Sequence, residues 1–378
     1  MKKLSILGST GSIGKQTLEV IRMFPDQFQV TSMVAGNNSD LFLNQIHEFK
    51  PSLVYSQNKL NPADLPSNCK IVANILEIVQ DDNSDLICQS LSGTIGLFPT
   101  LQALQSGKSV ILSNKEPIVM AGNILMDESV RFNSQILPVD SEPSAIWQCL
   151  RGEDYHQNIK KVLITGSGGP FLNVEHETLK KKTPKDALKH PTWNMGEKIS
   201  IDSATLMNKA LEVIEAYWLF DLDWEQIEVV IHPESIVHSM VEFNDGSIKA
   251  QLSPTSMLFP IQHALFYPER IHTSSTRKLE ITEIGNLSFQ SVDFEKYPCF
   301  QIGIEAGKAS GTYPAVLIGA DEVAVNMFLS GTIKFTDIPK VISRTLDINK
   351  NIANPSIEQI IESEKWGKQT ALKIGLNL

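Results

Sequence analysis

The segment Gly8-Ser9-Thr10-Gly11-Ser12-Ile13-Gly14 constrains the fold more than any other part of this chain. It follows an apolar, β-type run, Leu4-Ser5-Ile6-Leu7, and precedes the helix-patterned KQTLEVIRMF. A glycine-rich corner between a strand and a helix lets the backbone approach a pyrophosphate, while the helix N-terminus offers free N–H groups and partial positive charge. The spacing is GxxGxxG, a variant of the commoner GxGxxG, and any tight corner of this kind also favours glycine. Position and context together point to a bound dinucleotide. Up to residue 139, β-rich and helical runs alternate: Val30 to Ala35, LFLNQIHEFK, Leu53-Val54-Tyr55, Leu86-Ile87-Cys88, FPTLQALQSG, Ser109 to Leu112, then Gln135 to Asp140. Such alternation predicts an α/β, Rossmann-like domain with a parallel, doubly wound sheet.

Beyond residue 139 the pattern changes. Val162 to Thr165 reads as a strand running into GSGGPF, and 172–189 as a polar, irregular, mobile loop. Ser203 to Phe220 predicts one helix, and Glu228 to Leu252 two strands joined at Asn244-Asp245-Gly246, a good hairpin turn. Residues 268–292 have little periodicity and read as a linker; the remainder predicts helices, among them 299–309, 314–330 and 336–346. The expected organisation is therefore an N-terminal Rossmann-like domain over 1–139, a central α+β domain over 140–267 and a C-terminal α-helical domain over 293–378. A mobile lid is expected at about 186–197 within the central domain.

The formal net charge of −10 argues against nucleic acid or an anionic membrane as partner. It also means that an anionic substrate needs its own basic pocket. No stretch approaches the roughly 18–20 apolar residues of a membrane span. The opening MKKLSILGSTGSIG reads as a first strand and not as a targeting peptide, so a cytoplasmic protein is expected. Cys69, Cys88, Cys149 and Cys299 are scattered without a CxxC or clustered histidines, the distribution of reduced, buried small hydrophobes.

The chemistry concentrates in the middle of the chain. HPTWNMGEKISIDSATLMNKALE, from His190 to Glu212, brings together His190, Trp193, Met195, Ser203, Asn208, Lys209 and Glu212. A cation, a carboxylate, several hydrogen-bond donors and a flat apolar cover suit a phosphorylated sugar held beside a metal ion. On a helix, Asn208, Lys209 and Glu212 share one edge, and the neighbours Leu211, Val213, Ile214 and Trp218 make that helix mostly buried. Asp140-Ser141-Glu142 follows a strand; in extended chain both carboxylates face one way. With Glu212 as a third, they suit a hard cation such as Mg²⁺ or Mn²⁺, with Co²⁺ a further candidate. Asn114-Lys115-Glu116 lies at the carboxyl edge of the first sheet, where ligands bind in open α/β folds. Ser167-Gly168-Gly169 is either an anion nest with a hydroxyl donor or a plain strand-ending turn. Trp193 and Met195 fit a core or, given their loop between Pro191 and Gly196, a lid over a ligand. The second strand ends at Gly36-Asn37-Asn38 without a basic residue to declare NADP, and Asp40 is either a ribose partner or the first turn of the next helix. His232 reads as a satisfied strand histidine; His176, His263 and His272 are assigned no role.

These motifs, in their order, resemble the 1-deoxy-D-xylulose 5-phosphate reductoisomerase family. The matches are GSTGSIG, SGTIGLFPTLQALQSGK with NKE, VDSE, TGSGGPF, HPTWNMG.KI..DSATLMNKALE, IHPESIVHSMVEF.DGS and YPCF at 297–300. The resemblance implies a homodimer with an N-terminal NADPH domain, a central catalytic and dimerising domain and a helical tail. It implies NADPH contacts from Thr10, Gly11, Ser12, Ile13, Asn114, Glu116 and Gly196, beside the strand end Gly36, Asn37 and Asn38. Asp140, Glu142 and Glu212 would hold the divalent metal. Lys115, Ser141, Ser167, His190, Ser203, Asn208 and Lys209 would bind the substrate, with Trp193 above it.

The implied reaction rearranges 1-deoxy-D-xylulose 5-phosphate and then reduces the branched aldehyde to 2-C-methyl-D-erythritol 4-phosphate. Four positions depart from the family pattern: Gly36-Asn37-Asn38 where a Lys or Arg is usual, Pro143 in place of His after VDSE, Ala210 in place of Gly, and Pro254 to Phe259 in place of a PDMR-like stretch. Two rivals remain on the residues alone. A simple reductase of another phosphorylated aldehyde would need no three-carboxylate site, and a silent nucleotide sensor would tolerate loss of Lys115.

Overall fold

The computed structural model describes residues 1–37, 39–193, 195–272 and 278–378. The chain divides into two units. One comprises Met1–Pro117, Asn123–Ser144 and Ser256–Arg277; the other Ile118–Gly122, Ala145–Thr255 and Lys278–Leu378.

The first unit is built on seven strands: β1 (Lys2–Leu7), β2 (Phe28–Ala35), β3 (Leu53–Ser56), β4 (Lys70–Ile71), β5 (Leu86–Gln89), β6 (Ser109–Leu112) and β7 (Ile136–Pro138). Their order is β4-β3-β2-β1-β5-β6-β7, and each neighbouring pair is parallel. The central strand is buried from Leu4 through Leu7, as a strand covered on both faces requires. Because β2 lies on one side of β1 and β5 on the other, the winding reverses at the carboxyl end of β1. Open α/β sheets bind ligands at such a switch point. The Gly8–Gly14 corner occupies it. The segment after residue 255 returns to this unit through the helix Leu258–Phe266, where Phe266 meets Phe24 and Phe28 edge-on with ring centroids 4.9 and 4.8 Å away.

The second unit carries a five-stranded mixed sheet: β8 (Ile159–Gly166), β9 (Ile227–Ile231), β10 (Val237–Phe243), β11 (Ile248–Leu252) and β12 (Gln290–Ser291). The order is β11-β10-β8-β9-β12, and only β8 and β9 pair in parallel. Residues 228–252 thus hold parts of three strands where the pattern suggested two. Pro233 cannot donate to a ladder, and Ser235 takes φ 53°, so the chain leaves the sheet after β9 and re-enters beside β8. The turn at Asn244 to Gly246 does join β10 to β11, with Phe243 N–H donating to the Ser247 carbonyl at 2.9 Å.

Three other expectations change. The single helix foreseen over 203–220 is two, Glu197–Thr205 and Met207–Phe220, separated by Leu206 at φ 59°. The polar stretch 172–189 holds a 3-10 turn, His176–Lys181, and a short helix, Pro184–Ala187, capped reciprocally by Thr183 and Asp186. The 268–292 segment contains the helical turn Ile281–Ile284 and β12, which hydrogen-bonds to β9.

Four longer helices form the C-terminal part of this unit: Pro298–Ala309, Tyr313–Leu329, Ile338–Asp347 and Ile357–Gly375. The first of them approaches the helix Met207–Phe220 so closely that a Cβ on Gly303 would stand 2.5 Å from that of Ala210. None of the helices among the described residues is long and apolar enough to cross a membrane.

Candidate active site

In the first unit, Gly11 is the residue before the helix Ser12–Met23, whose first turn has no capping side chain and no acidic residue. Its leading N–H groups are therefore open to an anion. The corner requires glycine for space. A Cβ on Gly8, which has φ +90°, would lie 2.5 Å from the Ser90 carbonyl oxygen, and one on Gly14 would lie 2.7 Å from Ser9 Cα. Buried Ser9 ties the corner down by donating to Gln45 Oε1 at 2.8 Å, while Gln45 returns a bond to the Ser9 carbonyl. Thr10 and Ile13 are half-buried at the corner and Ser12 is exposed.

At the end of β2, Asn58 Nδ2 donates to the Asn37 carbonyl at 3.0 Å and Ser56 Oγ to that of Gly36 at 3.4 Å. The Asn37 side chain is left exposed; Asn38 lies outside the described residues. Asp40 falls in the first turn of the helix Ser39–Phe49, the second of its two readings.

Asn114 donates to the Gly93 carbonyl at 2.9 Å, and its buried Oδ1 has no donor among the described residues. This acceptor stands at the carboxyl edge of β6, where a cofactor amide or hydroxyl can meet it. Next to it, buried Lys115 pairs with Asp140 at 2.6 Å. Glu116 opens the helix Glu116–Arg131.

Asp140 and Glu142 do not lie on extended chain. A helix begins at Ser141, and the Asp140 carbonyl accepts its first bond from Ser144 N–H. Asp140 Oδ1 accepts from Ser141 N–H at 3.0 Å, and Ser141 Oγ donates to Glu142 Oε2. The pair therefore owes its placement to a helix start following β7 and not to the two-residue period of a strand.

In the second unit, the left-handed corner at Leu206 turns the chain between Ser203 and the helix that bears Asn208, Lys209 and Glu212. Glu212 is fully buried. Its carboxylate accepts from Asn208 Nδ2 through one oxygen and from Lys209 Nζ, at 2.6 Å, through the other. The Lys209 stem lies against the end of β8, where a Cβ on Gly166 would be 3.1 Å from three of its carbons. That glycine was not singled out in the sequence, although its place just before Ser167 in TGSGGPF marks a strand end.

His190 organises the other half of this cluster. Its Nε2 is 3.1 Å from Ser167 Oγ and 3.0 Å from Ser203 Oγ. Its Nδ1 accepts from the backbone N–H groups of Thr192 and Trp193, at 3.3 and 3.0 Å. An Nδ1 that accepts two bonds carries no proton, so the pattern assigns the neutral Nε2–H tautomer. Ser167 Oγ also accepts from Gly169 N–H at 3.1 Å. A protonated Nε2 cannot accept, so neither serine gives its own proton to the imidazole, and the Ser167 hydroxyl can donate to an incoming anion.

Burial, and then the charge of Lys209, lowers the His190 pKa from 6.5 to about 4. The unfolded chain binds this proton first. His190 therefore contributes no pH-dependent loss at neutral pH, and destabilises the fold as pH falls from 6.5 towards about 4. Unfolding titrations in denaturant should show His190→Gln losing part of this acid sensitivity; identical acid profiles for the two proteins would contradict the neutral assignment.

Trp193 is half-buried, its ring edge-on to His238 at 6.1 Å, and Thr192 Oγ1 donates to Ser235 Oγ at 3.2 Å. Gly196 precedes the helix Glu197–Thr205 and is exposed, with no atom of the described residues within 4 Å of where a Cβ would stand. His232 is buried and engaged at both ring nitrogens, by the Ser288 carbonyl at 2.8 Å and the N–H groups of Ile236 and Val237, as expected of a satisfied histidine. Among the cysteines, burial pushes the Cys88 thiol up to about 12, and Cys299 is raised as well, which suits inert core residues.

Comparison with known proteins bears on these clusters. Three family models match: 1-deoxy-D-xylulose 5-phosphate reductoisomerase over residues 4–122, its C-terminal domain over 136–220, and the DXP reductoisomerase C-terminal domain over 252–370. The 1-deoxy-D-xylulose 5-phosphate reductoisomerase of Desulforamulus reducens is 46% identical over 388 aligned positions, covering 99% of each chain. That of Pelotomaculum thermopropionicum is 45% identical, covering 99% of this chain and 98% of its own. A solved structure of the Zymomonas mobilis reductoisomerase with NADPH superposes with a TM-score of 0.91 at 33% identity over all of both chains. A DOX-P reductoisomerase with NADPH, fosmidomycin and magnesium gives 0.93 at 36%, covering 100% of this chain and 99% of that one.

Proposed function

The chain belongs to the 1-deoxy-D-xylulose 5-phosphate reductoisomerase family, and from that premise we propose how its residues divide the work of the family's reaction. It converts 1-deoxy-D-xylulose 5-phosphate to 2-C-methyl-D-erythritol 4-phosphate by a metal-dependent rearrangement and an NADPH-dependent reduction, in isoprenoid precursor biosynthesis. The observation that carries this is relatedness above 40% along essentially the whole of both chains.

Thr10, Gly11, Ser12 and Ile13 at the Gly8–Gly14 corner would hold NADPH, with Asn114, Glu116 and Gly196 as further contacts, and the cofactor would supply the hydride. The steric demand for glycine at Gly8 and Gly14 and the buried Asn114 Oδ1, which has no donor among the described residues, both fit this cofactor. Asp140, Glu142 and Glu212 would hold the divalent cation, since carboxylate oxygens are the donors that Mg²⁺ and Mn²⁺ favour; when bound, it acts as a Lewis acid towards substrate oxygens.

The remaining work belongs to this chain's own groups. Ser167, His190, Ser203, Asn208 and Lys209 form the phosphate grip, the serine hydroxyls donating neutral hydrogen bonds, the His190 Nε2–H holding those hydroxyls in place from behind, and Lys209 supplying charge. Lys115 and Ser141 hold substrate oxygens in place. Trp193, tied through its N–H to His190, covers the substrate and keeps water out. Gripping the phosphate keeps both fragments of a broken carbon–carbon bond within reach of each other, which is where positioning yields its rate advantage. We assign residues 1–139, 140–267 and 293–378 to cofactor binding, catalysis with dimer formation, and helical support. The working form is read as a cytoplasmic homodimer.

The test is oxidation of NADPH by 1-deoxy-D-xylulose 5-phosphate, followed by nicotinamide absorbance with and without Mg²⁺ or Mn²⁺. Oxidation that requires the cation is the expected result. None with folded protein, metal and either NADPH or NADH would overturn the reading in favour of a reductase acting on another aldehyde. The same assay probes the exposed Asn37. Asn37→Arg should raise the ratio of kcat/KM for NADPH over NADH by about tenfold, the worth of one charge-assisted phosphate contact. An unchanged ratio would remove Asn37 from the cofactor's surroundings.

A further inference from the structure

YPCF at 297–300 is a motif that the reaction as described leaves unused, yet its tyrosine reaches the turn that carries Ser167. Tyr297 is buried, and its hydroxyl donates to the Gly168 carbonyl at 2.9 Å. The same peptide unit presents its other end, Gly169 N–H, to Ser167 Oγ at 3.1 Å. One planar peptide is thus pinned at both poles. Lys296, the preceding residue, donates to the Leu172 carbonyl at 2.7 Å, securing the far end of the same segment.

Pinning matters because of what the turn is made of. Gly168 and Gly169 take φ +79° and +68°. Glycine populates both signs of φ about equally, so nothing intrinsic to these two residues stops their shared peptide from flipping. A flip would carry Gly169 N–H away from Ser167 Oγ. The serine would then have an acceptor site to satisfy elsewhere, and its proton would no longer be committed to the ligand. Burial pushes the Tyr297 phenol upward, so its proton stays in place as a donor. If the tyrosine hydroxyl were lost, the Gly168 carbonyl would be left buried without this partner, which favours the flip.

We propose that Tyr297, seconded by Lys296, is a positioning element of the phosphate site: it fixes the Gly168–Gly169 peptide and through it the direction in which Ser167 donates. The inference rests on the reading of Ser167 as a phosphate contact.

The experiment is steady-state kinetics with 1-deoxy-D-xylulose 5-phosphate on Tyr297→Phe, Ser167→Ala and the double variant, with NADPH affinity and melting temperature measured alongside. Tyr297→Phe keeps the buried ring and removes only the hydroxyl. Its KM for the substrate should rise about three- to tenfold, with kcat within about twofold and NADPH affinity unchanged. Because the tyrosine acts through the serine, adding Tyr297→Phe to Ser167→Ala should change KM little further. A merely structural role would give the same increment in both backgrounds and would overturn the proposal. So would a normal KM in Tyr297→Phe when Ser167→Ala shows a raised one. If Ser167→Ala itself leaves KM unchanged, the phosphate-site reading fails, and this inference with it. Should Tyr297→Phe not fold, Lys296→Met carries the test: a raised KM with unchanged kcat supports the proposal, and an unchanged KM overturns it.

Discussion

Glu212→Gln is expected to remove metal-dependent turnover, lowering kcat/KM by about three orders of magnitude or more, because a carboxylate ligand is lost from a site whose cation stabilises developing charge. Glu212 is fully buried, and its two oxygens receive Asn208 and Lys209. Glutamine keeps the shape but cancels the charge, and whichever oxygen becomes an amide nitrogen faces a donor with a donor. Lys209 then sits buried opposite a neutral group, a change that costs about 3–5 kcal/mol when a buried pair is broken. The kinetic loss must therefore be separated from a stability loss. Melting temperature, Mn²⁺ affinity by calorimetry and NADPH affinity should be measured on the same preparation. NADPH binding is expected to survive, since the glycine corner is built in the other unit. Undiminished turnover would sink the assignment of Glu212 as a metal ligand.

The second large effect is expected from Lys209→Met. Methionine can follow the same path beside Gly166 but carries no charge to the phosphate. A lost charge-assisted hydrogen bond corresponds to about 10- to 150-fold, so KM for the phosphorylated substrate should rise by about two orders of magnitude. The discriminating control is 1-deoxy-D-xylulose without its phosphate. If Lys209 acts on the phosphate, kcat/KM for this poor substrate should barely change. An equal fall for both substrates would mean that Lys209 serves Glu212 alone, and the phosphate assignment would have to be withdrawn.

The parallel sheet was legible in the sequence because strands buried on both faces read as continuous apolar runs. Leu4 to Leu7, Val30 to Ala35 and Ser109 to Leu112 approach this pattern, broken only by the small polar residues Ser5, Thr31, Ser32 and Ser109, and helical runs separate them. What escaped were the places where one residue departs from its neighbours. Leu206 adopts a left-handed conformation that leucine rarely takes, held by tertiary packing and by Thr205 Oγ1, which accepts from Met207 N–H at 3.3 Å. Local propensity contains no trace of that break. β9 ended early at His232-Pro233, where the proline was a visible signal that the apolar run Val229–Ile231 outweighed.

Site residues behave similarly. Asn208, Lys209 and Glu212 were grouped by helical spacing, and their hydrogen bonds follow that spacing. Asp140 and Glu142 were grouped by a strand rule that does not apply to them, since the chain turns helical at Ser141. Gly166 and Tyr297 had no signal of their own chemistry at all, because a glycine that makes room and a tyrosine that holds a carbonyl act only through neighbours distant in sequence.

Gly166 also bears on how such a chain can evolve. The end of β8 and the stem of Lys209 are packed so closely that a Cβ at position 166 would press on three of the stem's carbons at 3.1 Å and ask the side chain to shift. These two positions, more than forty residues apart in sequence, are in effect one heritable unit. A lineage that acquired bulk at 166 would move the Lys209 stem, so each of the two sites constrains what the other can become.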